Sequence, residues 1–315
     1  MPLVSTNWTA GIDLGGTNLK AVAVTPTGEV LRRENRTTIS GRNAAAAWIA
    51  QVRTVIDDFA IHCGGPPQAI GLCAPGLASP DGRRIAHLPH KLEGITQIDW
   101  TESLGETRLV PVLNDAHAAL LGETWIGAAQ GRRHVVMFTL GTGVGGAVLS
   151  DGRLMRGALG RAGHVGHLSV DLDGERTIVG TPGGLEVMIG DYTVAARTGG
   201  RFTTTAELVA AHGAGDAEAT RVWLRSIRAL ACAIGSCINL FDPELIVLGG
   251  GIALAGKALF EPLQGELDGL EWRPTGPGVP VVPATLGEWA GGIGAAAHAM
   301  RWDPTDRTDR PHLSA

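Results

Sequence analysis

Ala10-Gly-Ile-Asp13-Leu-Gly15-Gly16-Thr17-Asn-Leu-Lys-Ala-Val-Ala-Val24 is the stretch that decides how the chain is read. A short apolar strand runs into a single acid, then a glycine pair and a threonine, then a second strand-like run. Adjacent glycines let the backbone turn tightly and bring its N–H groups to a ligand with no Cβ in the way. Asp13, at the end of its strand, is placed to meet a metal ion or a phosphate-bound water. The same order recurs at Phe138-Thr-Leu-Gly141-Thr142-Gly143-Val-Gly145-Gly146-Ala-Val-Leu149. Two such hairpins, well separated, imply two lobes closing on one polyphosphate.

The bulk composition agrees with a two-domain globular protein. At 315 residues the chain exceeds what one core usually supports. Charged residues make up 18% and hydrophobic ones 44%, the balance of a globular protein. A net charge of −5 argues against nucleic acid or an anionic membrane as the main partner. Cys63, Cys73, Cys232 and Cys237 show no Cys-x-x-Cys spacing, so reduced structural thiols are expected rather than a zinc ribbon or disulfides. The first ten residues lack the basic start and apolar core of a signal peptide, and no apolar run approaches the roughly 18 residues of a membrane span. A cytoplasmic protein is expected.

Along the chain, the first hairpin leads through the turn Pro26-Thr27-Gly28 into a third strand at Glu29-Val30-Leu31. Asn43 is a candidate cap for a helix from Ala44 to about His62, with Trp48, Val52, Val55, Ile56 and Phe59 at helical spacing. Gln68 to Leu72 reads as a strand entering the loop Cys73-Ala-Pro-Gly76, and Leu109 to Leu113 as another, ending at Asn114-Asp115. A helix over Ala116 to Ala129 follows. Gly152 to Gly184 is expected to be loop-rich. Arg221 to Leu240 reads as a long helix with Leu224, Ile227, Ala231, Ile234 and Ile238 on one face. Leu245 to Leu248 is a buried strand ending in Gly249-Gly250-Gly251, and Gly291 to Met300 a final helix. The polar tail from Asp303 to Ala315 is expected to be disordered.

Two motifs have competing readings. Gly141, Gly143 and Gly146 satisfy Gly-x-Gly-x-x-Gly, but a dinucleotide site needs that motif to open a helix. Here it runs into the strand Ala147-Val-Leu149, so the dinucleotide reading is rejected. Asn114-Asp115, where a strand meets a helix, reads on its own first as an N-cap. Its functional reading makes Asp115 a general base that takes a proton from a substrate hydroxyl. Phosphoryl transfer needs chiefly positioning and electrostatic stabilisation, plus one residue to orient the nucleophile.

Taken together, Asp13-Leu-Gly-Gly-Thr17, Leu113-Asn-Asp115, Leu140-Gly-Thr-Gly-Val-Gly-Gly146, Ala162-Gly-His-Val-Gly-His167, Gly249-Gly-Gly251 and Leu286-Gly-Glu-Trp-Ala-Gly-Gly-Ile-Gly-Ala295 resemble the ROK family of sugar kinases. The resemblance covers residues 10 to about 300. It implies an α/β chain with the two-lobed actin/hexokinase/Hsp70-like ATPase fold, ribonuclease H-like lobes and an interlobe cleft. The first lobe would span 1–115, completed by a helix over about 291–302, and the second 116–290. It implies that Asp13, Gly15, Gly16 and Thr17 hold the ATP phosphates and magnesium, that Gly141, Thr142 and Gly143 cradle the phosphates from the other lobe, and that Gly249, Gly250 and Gly251 lie under the adenosine. Asp115 would be the base acting on a sugar hydroxyl, usually that on C6. Asn114, Gly76, His167 and Glu186 would hold the sugar, with His164 facing it too, and a homodimer is the family expectation.

The departures from the family matter as much. His164 stands where the family usually carries a sugar-binding Glu in Ala-Gly-Glu-x-Gly-His. A ring that donates at one nitrogen and accepts at the other replaces an anionic acceptor, so either the preferred sugar shifts or the ring moves slightly and glucose still binds. Thr177, Val179 and Gly184 occupy the three cysteine positions of the family's zinc motif, and one His cannot hold a zinc that wants four ligands; no structural zinc is expected. His90 or Lys91 could face the substrate from Leu88-Pro-His-Lys-Leu92. Alternative readings are a polyphosphate-dependent hexokinase and a sugar-binding regulator without catalysis. The transcriptional regulators of the family carry a winged helix-turn-helix before the kinase-like part, and with Asp13 so near the start of the sequence none is expected here.

Overall fold

The computed structural model describes residues 7–41, 44–89, 91–274 and 276–301. Asn43, His90 and the 303–315 tail, about which the sequence raised expectations, lie outside these residues. The chain opens with β1 (Thr9–Leu14), β2 (Asn18–Val24), β3 (Val30–Thr37), α1 (Ala44–Cys63), β4 (Ala69–Ala74), β5 (Leu77–Ala78), β6 (Ile85–His87), α2 (Trp100–Leu104), β7 (Val112–Asn114) and α3 (Asp115–Ile126). Then come β8 (Val135–Leu140), β9 (Val144–Ser150), β10 (Arg153–Leu154), α4 (Leu185–Ile189), α5 (Val194–Arg197), α6 (Thr205–Gly213), α7 (Ala217–Phe241), β11 (Leu245–Gly249), α8 (Lys257–Leu270), β12 (Val281–Pro283) and α9 (Ala290–Arg301).

Two compact units result. Among the described residues, unit 1 takes those up to 131, 156–162 and those from 288 onward, and unit 2 takes 132–155 and 163–287. Each contains a five-stranded sheet, ordered β3-β2-β1-β4-β7 in unit 1 and β10-β9-β8-β11-β12 in unit 2. The pairing is the same in both. An antiparallel meander (β1 to β3, β8 to β10) lies on one side of the first strand, and parallel strands (β4 and β7, β11 and β12) lie on the other. The echo of two glycine hairpins in the sequence is thus the visible part of a repeated topology. Central parallel strands β4 and β11 are buried along their whole length, as expected where helices cover both faces. Edge strand β3 alternates and carries Arg32, Arg33, Glu34 and Arg36, which discourages edge-to-edge pairing.

Unit 1 runs past the expected break at residue 115 because α3 packs on α9, and α9 packs in turn on β1 and β4. That packing needs small residues. A Cβ on Gly11 would lie 1.9 Å from Gly292 O, one on Gly71 2.0 Å from Ala295 O, and one on Gly294 1.6 Å from Ala118 O.

In unit 2 the long helix begins four residues earlier than the sequence reading, at Ala217, and is capped by Asp216, whose side chain accepts from Ala219 N. Its buried stripe also differs from the expected one. Leu224 is 40% exposed, whereas Trp223, Ile227, Leu230 and Ile234 are fully buried. Leu224 is offset by three from Ile227, but the inward face drifts toward Trp223, whose indole donates to Ala258 O at 2.9 Å. By length and composition α7 could cross a membrane, but half of that window is buried within the protein. Helices α6 and α8 went unread. The first is short, though it carries a capping box at Thr204 and Glu207; the second contains Pro262, which hid its period.

Candidate active site

In unit 1, Asp13 lies in β1 between two partners, opposite Lys20 of β2 and beside Cys73 of β4. Burial and the charge of Asp115 push its carboxyl up to about 7, against the opposing pull of Lys20 and a hydrogen bond from Cys73. The Cys73 thiol is itself pushed well up, first by burial and then by Asp13 and Asp115. Helix α9 makes room for this group, since a Cβ on Gly291 would lie 2.8 Å from Asp13 Oδ2 and 3.2 Å from Cys73 Sγ.

The turn that follows is tied from behind. Gly15 N donates to Asn18 O at 2.9 Å, Thr38 Oγ1 donates to Gly15 O at 2.7 Å, and Thr38 N donates to Thr17 O at 2.8 Å. Neither Gly15 nor Gly16 has a positive φ, so backbone conformation does not demand glycine, although a Cβ on Gly15 would lie 3.0 Å from Asn18 O. A Cβ on Gly16 would meet nothing within 4 Å. The glycine leaves the outer side of the turn bare, which suits close approach of a ligand to the backbone.

Strand β7 ends at Asn114, which resolves the cap question for that residue. Its Oδ1 accepts from Ala116 N at 2.9 Å and His117 N at 3.2 Å, while its Nδ2 donates to Gly76 O at 3.0 Å. Gly76 is at φ +99, and a Cβ there would lie 2.5 Å from His87 O. Asn114 therefore both starts α3 and fastens the Gly76 loop to it. Asp115 becomes the first residue of the helix, and its Oδ1 accepts from Ala116 N at 2.8 Å. Replacing Asn114 with Ala is expected to lower stability by about 1–2 kcal/mol, read as a fall in urea midpoint with an unchanged slope. Lys91, the described half of the pair noted in the sequence, is exposed.

In unit 2 the equivalent hairpin turn is also held from behind. Gly141 N donates to Gly143 O at 3.0 Å, and Asp191 N and Tyr192 N donate to Gly141 O and Thr142 O at 3.0 and 3.1 Å. Gly146, the third glycine of the apparent dinucleotide pattern, serves packing: its Cβ would lie 2.5 Å from Val165 Cγ2 and 2.6 Å from Met137 O. The Gly249–251 turn lies against this hairpin. Gly250, at φ +86, would place a Cβ 2.2 Å from Leu140 O, while Gly251 is open. So the glycines of both turns come together within one unit.

The 163–167 segment packs on β9 through another glycine contact, with a Cβ on Gly166 2.0 Å from Val144 O. It carries His164 and the short 3-10 turn Val165–His167. Glu186, in the first turn of α4, is buried. His167 Nδ1 is 3.5 Å from Glu186 Oε1, and burial lowers the His167 pKa, which keeps its ring neutral near pH 7. A Cβ on Gly143 would lie 3.0 Å from Glu186 Oε2. Phosphate-turn and sugar-side candidates thus share one neighbourhood in unit 2. At the former zinc positions, Thr177 exchanges hydrogen bonds with Thr181 (2.8 and 3.2 Å) and Val179 is exposed. Among the described residues no three His, Cys, Asp or Glu side chains are grouped to hold a metal.

A model of the ROK family matches residues 9–301. The chain belongs to the ROK family. It is 30% identical over 308 residues to a glucokinase of Thermotoga maritima, covering 91% of this chain and 95% of that one. It is 31% identical over 252 residues to an N-acetylmannosamine kinase of Escherichia coli, covering 78% and 84%. Among solved structures, a ROK family glucokinase from Streptomyces griseus in complex with glucose and AMPPNP superposes with a TM-score of 0.77 at 27% identity, over 94% of this chain and 100% of that one. The ROK fold, with its actin-like α/β units, is the fold expected from the motifs. Sequence reading did not single out Lys20, Cys73 or Gly291 as parts of the Asp13 group. Strand register brings the first two beside it, and only the Gly-Gly pair at 291–292 hinted at the third.

Proposed function

We propose that this ROK sugar kinase moves the γ-phosphoryl group of ATP to a hydroxyl, that on C6, of a hexose or aminohexose. The supporting observation is Asp115, held by the Asn114 cap at the first position of α3 and near enough to Asp13 for its charge to raise that carboxyl. A carboxylate so fixed can take the hydroxyl proton as the oxygen attacks phosphorus. The O–H bond breaks toward Asp115, the new P–O bond forms, and the bond to the leaving ADP breaks.

Asp13 fits a magnesium ion. Its carboxyl is pushed up by burial and by Asp115, a strain that a hard cation with a preference for oxygen donors relieves. When bound, the cation would neutralise phosphate charge, and Asp13 would hold it directly or through water or phosphate. In the turns at Gly15–Thr17 and Gly141–Gly143, the backbone N–H groups other than those of Gly15 and Gly141, which bond within the turns, would serve the phosphates, with Gly249–Gly251 beneath the nucleoside. Asn114, Gly76, His164, His167 and Glu186 would hold the sugar. Similarity to both a glucokinase and an N-acetylmannosamine kinase supports the hexose and aminohexose range, and His164 is the residue that would choose within it. Such an enzyme belongs in the cytoplasm, where ATP is made and used.

A coupled ADP-release assay with magnesium-ATP and a panel of glucose, mannose, N-acetylhexosamines and aminohexoses tests the reading. Turnover with at least one sugar is expected. Silence across the panel overturns it, as does a sugar phosphate, detected directly, that forms with polyphosphate but not with ATP. The chain is also expected to need no structural zinc. Chelation and dialysis should leave its melting temperature unchanged, and one tightly held zinc per chain by elemental analysis would refute this.

A further inference from the structure

We propose that unit 2 carries a second small-molecule site, a pocket for a sugar phosphate between the 171–175 loop and α7. The cavity measures about 310 Å³, at the lower end of the range in which small molecules bind (~300–1,000 Å³). Asp171, Asp173 and Glu175 line it together with Arg197, Arg221 and Arg225.

The charges in this pocket do not all cancel. Arg225 pairs with Asp171 at 3.1 Å, and Arg221 pairs with Glu218 at 2.5 Å. Asp173, Glu175 and Arg197 form no ion pair among the described residues. Arg197 is partly buried and spends its hydrogen bonds on neutral oxygens: Thr193 Oγ1 at 2.9 Å, Ser226 Oγ at 2.6 Å and Gly190 O at 3.2 Å. Burial pulls its pKa down to about 10 despite the attraction of Asp191. A guanidinium has five N–H donors, so some stay available to a ligand.

This pattern selects a ligand class. A bare anion would meet Asp173 and Glu175, a bare cation would meet Arg197, and a neutral sugar would bring no anionic group to the remaining Arg197 N–H donors. A molecule with an anionic end and several hydroxyls satisfies both sides. Phosphate suits the planar fork of an arginine, while carboxylates accept from hydroxyls. Val187 and Met188 line the same pocket and follow Glu186 in α4, so an occupant bears on the helix that positions Glu186. Occupancy and sugar affinity are then coupled, each altering the other by the same factor.

Calorimetric titration of the intact protein with a hexose 6-phosphate, the matching hexonate, inorganic phosphate and the free hexose tests this. Direct binding is read whether or not the kinase reading holds; only the coupling to sugar affinity rests on it. A binding event separate from the sugar site is expected for the hexose phosphate, weakened about tenfold or more in Arg197→Gln, with kcat unchanged. The Asp173→Asn, Glu175→Gln double variant should bind the hexose phosphate more weakly and inorganic phosphate more tightly. That opposite pair of changes also keeps the test alive if Arg197→Gln does not fold. A single event per chain that competes with sugar and survives all three substitutions overturns the proposal. So does inorganic phosphate or free hexose binding the parent protein as tightly as the hexose phosphate.

Discussion

Asp115→Asn is expected to lower kcat by about 10²- to 10⁴-fold, the range that general-base catalysis supplies, with KM for sugar and nucleotide within a few-fold of the parent. The amide keeps the shape and can still accept from Ala116 N, as Asp115 Oδ1 does at 2.8 Å, so α3 should start unchanged and the melting temperature should hold. What the amide cannot do is carry away the hydroxyl proton. Loss confined to kcat marks an interaction made in the transition state; loss confined to KM would mark simple sugar binding. Parent-level turnover in the variant would remove Asp115 from the chemistry.

A second substitution should separate stability from activity. Asp13 has a folded-state pKa of about 7 against an ordinary 3.8, so between those values the folded chain keeps a proton that the unfolded chain has released. Stability is then fully present below the unfolded value, falls as pH rises toward 7, and is flat above it. Asp13→Asn removes the titration. In ligand-free protein without divalent cations it is expected to gain about 2–4 kcal/mol at pH 8 and almost nothing at pH 4. Activity should be lost at every pH, the usual exchange when a strained functional group is neutralised. Denaturant unfolding of both proteins across this pH range checks it, and a difference that does not change with pH would show that Asp13 is not the strained group.

Much of this was legible in the residues. The hairpins around Gly15 and Gly141, the Asn114-Asp115 corner and strand β11 all announce themselves by local pattern, because turns, caps and buried strands are local solutions to local constraints. Register is not local. Nothing in the sequence says that Lys20 and Cys73 flank Asp13, because that depends on which strand pairs with which and at what offset. The stripe on α7 was misread at Leu224 for the same reason: which apolar face turns inward is settled by partners such as Ala258, not by period alone. Glycines proved legible in position but not in purpose. Gly16 is bare for a ligand, Gly146 and Gly166 are packed against backbone, and Gly250 is bound to its positive φ, yet all four read alike in the chain.

The packing of α9 against β1, β4 and α3 has a consequence for how the protein is born. Unit 1 needs residues on both sides of unit 2 in the chain, and the small-residue contacts that seat Gly291 beside Asp13 are made by the last described helix. During synthesis the sheet and helices of unit 2 leave the ribosome before that helix exists. The half of the protein that begins first is therefore the half that finishes last. Until residue 301 or so has emerged, the groove that α9 fills stands open over β1 and β4, apolar and unpaired. A growing chain in that state is prone to aggregate, and the contact of Gly291 beside Asp13 forms only once α9 is seated.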